Sequence, residues 1–75
     1  MGQQEIRYTI EYEQEEYGRW LAELMDLRGV MAYGATPEDA IVKVESLALR
    51  VLADRIDHQE EPLSLLNISF AAAAA

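Results

Sequence analysis

The rhythm of apolar and polar positions changes along this 75-residue chain, and each change marks a new element. Between residues 5 and 13 the two kinds alternate. Ile6, Tyr8, Ile10 and Tyr12 fall on one side; Arg7, Thr9, Glu11 and Glu13 fall on the other. A period of two predicts a strand with one buried face, because successive side chains of extended backbone point to opposite sides. Glu15, Glu16, Tyr17 and Gly18 break the alternation as a polar hairpin turn. Arg19 to Leu24 resumes it, with Trp20, Ala22 and Leu24 sharing a face, and predicts a second strand. Asp26 to Gly29 reads as a turn: an Asp side chain can bond nearby backbone amides, and Gly tolerates positive φ. Val30 to Tyr33 predicts a short third strand.

At Thr36-Pro37-Glu38-Asp39 the period lengthens and a helix opens. Thr36 suits the N-cap, and Pro37 suits the first helical position, where its missing N–H costs nothing. Glu38 and Asp39 lie against the positive end of the helix dipole. Ala40, Ile41, Val44, Leu47, Ala48, Val51, Leu52 and Ile56 follow at helical spacing and predict one apolar stripe. Lys43, Glu45, Arg50, Asp54 and Asp57 fall off it. The helix is expected to end near His58, with Pro62 barring its return. Leu66, Ile68 and Phe70 alternate with Asn67 and Ser69 as a fourth strand. The expected fold is α+β, a single small domain of order β-β-β-α-β with the helix on one face of the sheet. A right-handed crossover is expected to bring the fourth strand beside the first, parallel to it. Residues 71–75 are all alanine and carry no core pattern, so the domain is placed at 1–70. The tail reads either as genuine alanines or as stand-ins for unidentified side chains.

Composition narrows the function. A domain of this size buries only about 60% of its unfolded surface, and small folds compensate with disulfides, metals or association. The chain has no cysteine and one histidine, so neither a disulfide nor a zinc site is expected, and dimerisation is the remaining route. Six basic and 14 acidic residues leave a formal charge of −8. That balance opposes a phosphate backbone, which is bound through Lys and Arg, and suits a basic protein partner. It also serves simple solubility. The N-terminus lacks an apolar run, and no segment approaches the ~20 apolar residues of a membrane span. Met1-Gly2 is a poor myristoylation signal because Ile6 stands where Ser or Thr is needed. Asn67-Ile68-Ser69 matches a glycosylation sequon, read as chance. The cytoplasm is the expected compartment.

Candidate chemistry is sparse. Glu11, Glu13, Glu15 and Glu16 form an acidic patch on one strand and its turn, and three of the four are expected to face solvent. A two-metal site needs carboxylates converging from several elements. The patch is therefore read as a solvated face or a docking surface for a basic partner. Asp26 lacks an evident partner to tune it as a base and sits where a turn wants Asp. His58 complements a helix C-terminus. Ser46, Ser64 and Ser69 lack a nucleophile-elbow context and a nearby His. Gly29 and Gly34 are not a phosphate loop. Trp20 alternates with Leu24 and is read as core, and Tyr17 as an interface aromatic.

Three segments in order carry a family resemblance: Gly18-Arg19-Trp20-Leu21-Ala22, Asp26-Leu27-Arg28-Gly29 and Gly34-Ala35-Thr36-Pro37-Glu38-Asp39-Ala40. Together they resemble the HicB-like antitoxin domain over roughly residues 5–70. The resemblance implies a truncated RNase H-like fold without its catalytic carboxylates. It implies a non-enzymatic, cofactor-free protein that binds and neutralises a small basic RNA-cleaving toxin of HicA type. Met25 and Arg28 stand where the family usually has prolines, and Arg28 becomes a candidate surface contact. Full-length antitoxins often carry a C-terminal DNA-binding domain. No room for one is expected after Phe70, so direct DNA binding is not expected. The reading is thus a homodimeric or higher-order antitoxin-type domain with Glu11, Glu13, Glu15, Glu16, Tyr17 and Arg28 as partner-binding candidates. Gly18, Trp20, Ala22, Asp26, Gly29, Gly34, Thr36, Pro37, Glu38 and Ala40 form its structural signature. The alternatives are a HicB-like interaction or regulatory module with another partner, and a residual Mg²⁺ nuclease using Glu11, Glu13 and Asp26.

Overall fold

The computed structural model describes residues 4–58 and 66–75. Met1-Gly2, Pro62 and Ser64, on which expectations were placed, lie outside those residues. The described chain runs β1 (Gln4–Gln14), β2 (Trp20–Leu24), β3 (Met31–Gly34), α1 (Pro37–Asp57) and β4 (Leu66–Ala74), the β-β-β-α-β order that the periodicities predict. The strands form one mixed sheet in the order β3-β2-β1-β4. β1 and β2 are antiparallel, as are β2 and β3. β4 lies parallel to β1 at the sheet's edge. No described helix is long and apolar enough to cross a membrane.

The core sits between α1 and one face of the sheet. Tyr8 and Ile10 of β1, Ala22 and Leu24 of β2, and Val30 supply the sheet side. Ala40, Val44, Ala48 and Leu52 supply the helix side. These four recur every fourth residue, so the buried seam is narrower than the predicted stripe. Ile41, Val51 and Ile56 are half-buried at its margins, and Leu47 is exposed. Alanines at 22, 40 and 48 have no exposed surface, which lets the helix lie close to the strands.

The helix start is tightly specified. The Thr36 hydroxyl accepts a bond from the Asp39 amide at 3.0 Å, and Pro37 occupies the first turn. Asp39 Oδ2 in turn accepts from the Ala35 N–H at 3.3 Å and meets Lys43 Nζ at 3.2 Å. The Thr36 hydroxyl thus satisfies an amide that the first turn leaves without a helical partner, and Asp39 ties the turn back to the residue before the cap. At the other end the His58 N–H donates to the Asp54 carbonyl at 3.0 Å, closing the helix where the sequence places its end. Gly34 explains its own place in the signature. A Cβ there would come within 2.5 Å of the Ala40 nitrogen, so only glycine lets β3 run into the helix at this separation.

Two expectations are corrected by tertiary pairing. Asp26 does not serve a purely local turn: its Oδ2 accepts from the amide of Thr9, 17 residues earlier, at 2.6 Å. The Met25 N–H donates to the Thr9 carbonyl at 2.9 Å. The β1–β2 ladder ends at Ile10 and Leu24, and Asp26 then stands in for the strand carbonyl that would have come next. The alanine run is not a tail beyond the sheet. β4 continues through Ala74, with Ala71 to Ala74 opposite Thr9 to Tyr12, and the Ala75 N–H donates to the Tyr12 carbonyl at 2.9 Å. A ladder needs only backbone donors and acceptors, so it overrides the weak strand preference of alanine.

Candidate interaction surface

Because α1 covers one face of the sheet, the opposite face is left open among the described residues. Strand alternation puts Thr9, Glu11 and Glu13 of β1, Leu21 and Glu23 of β2, and Met31 and Tyr33 of β3 on that face. The register then orders them in rows. One row runs Glu11–Glu23–Met31, and the next runs Glu13–Leu21–Tyr33. Glu11 and Glu23 are therefore direct cross-strand neighbours of like charge, with Glu13 on the same face two residues along. Glu11, Glu13, Leu21, Glu23 and Ala75 line a shallow recess of about 70 Å³. Met31 and Tyr33 remain about two-fifths exposed beside it. Among the described residues no three His, Asp or Glu side chains are grouped so as to hold a metal ion.

The turn between β1 and β2 stands at one end of this face. Glu16–Gly18 form a single 3-10 turn, with the Gly18 N–H donating to the Glu15 carbonyl at 3.2 Å. Tyr17 has φ 71° and its side chain is fully exposed. A tyrosine in the left-handed region is uncommon, and here it thrusts the ring outward from the turn. Glu15 is half-buried and already engaged: its Oε1 meets Arg19 Nε at 3.2 Å. The Arg19 guanidinium also stacks 3.7 Å from the centre of the Tyr33 ring. Glu15 thus belongs to the hairpin's own bonding more than to a docking surface. Glu11, Glu13 and Glu16 are the exposed members of the predicted patch.

The other candidates divide by position. Arg28 lies in the β2–β3 turn, at the far end of β2 from Tyr17, a strand length of roughly 17 Å away. The turn that holds it follows Leu24, one residue beyond Glu23, so it stands at the Glu23 end of the face and away from Tyr17. Trp20 is half-buried on the helix side, 6.2 Å from the Tyr12 ring. Ala22 is core, Gly18 and Gly29 hold positive φ at 88° and 82°, and Thr36, Pro37, Glu38 and Ala40 build the helix start. The signature residues therefore shape the fold and leave the open face to others.

Glu23, Leu21, Met31 and Tyr33 escaped the sequence-based candidate set. Their alternation with Trp20, Ala22 and Leu24 carried the signal that they face away from the core. Only the register places Glu23 against Glu11. Among the described residues the face is acidic and partly apolar. No family model, curated protein or solved structure matches the chain.

Proposed function

We propose that this chain is an antitoxin-type protein of the HicB kind, which binds a small basic RNA-cleaving toxin of HicA type and occludes it without catalysis of its own. The observation that carries the reading is the Glu11–Glu23 juxtaposition, joined by Glu13, on a sheet face that no other described element covers. Like charges directly opposite one another weaken a sheet. A cationic partner turns that cost into attraction. Leu21, Met31 and Tyr33 give the same partner an apolar footing, and the formal charge of −8 steers its approach. The motif order from Gly18 to Ala40 supports the family reading, and with such a partner the expected compartment is the cytoplasm.

The test is co-expression with the product of an adjacent short reading frame that encodes a basic protein. The expected result is co-purification and rescue of growth, both lost on the double substitution Glu11→Lys, Glu23→Lys. A folded protein that neither co-purifies with such a partner nor restores growth refutes the reading. Binding is expected to weaken as salt rises, since exposed charges are screened over about 8 Å at physiological ionic strength.

A further inference from the structure

We propose that the free edge of β4 seats a second copy of this chain, joining the two sheets antiparallel about a two-fold axis near Ala71. β4 is the last strand of the sheet, nine residues long, and no described strand lies beyond it. Its backbone groups divide by alternation. The Ala75 N–H points to Tyr12 of β1, so the amides of Ala73, Ala71, Ser69 and Asn67 face β1 as well. Those of Ile68, Phe70, Ala72 and Ala74 face outward. An edge of this length is normally blunted by charges, proline or a bulge. Residues 66–75 contain no charged residue and no proline.

The occupant follows from charge and packing. Two chains of formal charge −8 repel over most of their surface. Strand β4 lacks charged side chains, so two copies can pair along it without placing like charges opposite one another. With the axis at Ala71, Phe70 falls opposite Ala72 of the second copy and Ile68 opposite Ala74. Each large side chain then meets a small one, and every outward amide from Ile68 to Ala74 finds a carbonyl. The helix leaves room for this arrangement. It packs over β3 and β2 and reaches β1, with marginal contact to β4 at most. Ile6, Ile68 and Phe70 are consequently only half-buried, and Ala72 and Ala74 are exposed, on the helix side of the sheet. A two-fold axis normal to the sheet puts both helices on one side. They would flank a shared apolar floor made of those residues. This inference stands on the sheet edge and is independent of the antitoxin reading.

Sedimentation equilibrium of the full chain is expected to give twice 8.5 kDa, with association strengthened by added salt as the two negative chains are screened. Ala72→Pro removes an outward amide and keeps every bond to β1, so it should raise the dimer dissociation constant at least about tenfold. Ala72→Glu places like charges beside the axis and should act in the same direction. In the wild-type dimer the amides of Ile68, Phe70, Ala72 and Ala74 should exchange slowly, and dilution to monomer should release them. A monomeric mass up to millimolar concentration in high salt overturns the proposal. So does a dimer whose outward amides exchange as fast as in the monomer, an outcome that needs no variant to fold.

Discussion

Replacing Gly34 with alanine tests how tightly the third strand and the helix are joined. The perturbation is a single methyl group. Gly34 lies outside the positive-φ region, so the change brings no backbone penalty of its own. The added Cβ would stand 2.5 Å from the Ala40 nitrogen, 2.7 Å from Asp39 Oδ2 and 3.0 Å from Ala40 Cα. Carbon prefers about 3.5–4.0 Å from such neighbours, so a shift of roughly 1 Å is required. Two of the three atoms are helix backbone, and Ala40 is fully buried, so relief demands that α1 move as a body. Overpacking of this kind costs about 1–3 kcal/mol. Displacing Asp39 Oδ2 also weakens its bond to the Ala35 amide, worth about another 1 kcal/mol. A loss near 3 kcal/mol is large against the ~4–11 kcal/mol expected for a chain of this length. It should lower Tm by roughly 12–24 °C. Urea denaturation followed by circular dichroism measures it, with Gly29→Ala as the control. At Gly29 nothing lies within 4 Å of an added Cβ, and only φ +82° is strained, a cost of about 1–2 kcal/mol. If Gly34→Ala loses no more stability than Gly29→Ala, the close approach of strand and helix is not what demands glycine there.

Thr36→Ala removes the hydroxyl that accepts from the Asp39 amide and should cost about 1 kcal/mol in urea melts, with Thr36→Ser recovering most of it. Asp26→Ala deletes the 2.6 Å acceptor for the Thr9 amide; a loss of about 1 kcal/mol is expected, together with faster hydrogen exchange at Thr9 and little change at Ile10. Glu23→Lys converts a like-charge neighbour of Glu11 into an opposite one. It should raise stability by a few tenths to about 1 kcal/mol at low salt and weaken capture of a basic partner, so stability and binding should move in opposite directions.

Much of the fold was legible because its signals are periodic. The two-residue rhythm of Ile6 to Tyr12 and of Trp20 to Leu24 identifies strands and their buried faces. The Thr36-Pro37 start and the His58 end bracket the helix almost to the residue. The candidate surface was legible only in part. Three solvent-facing acids among Glu11, Glu13, Glu15 and Glu16 are legible from the alternation and the turn; that Glu15 is the half-buried one, held by Arg19, and that Glu23 joins the face, are not. Periodicity reports which side of a strand a residue occupies. It is silent on which residue of the neighbouring strand stands opposite.

The sequence by itself determined the element order, the face each strand buries, the helix cap and the overall negative charge. All of these are local or additive properties of neighbouring residues. Tertiary structure decided the rest. It set Glu23 against Glu11, carried the Asp26 carboxylate across to Thr9, pressed Gly34 against Ala40 and drew the alanines into β4. Each of these depends on hydrogen-bond register or on the close approach of distant segments. A side-chain pattern cannot encode such pairing where the pattern is uniform, as in the alanines, or where the partner lies many residues away, as for Asp26.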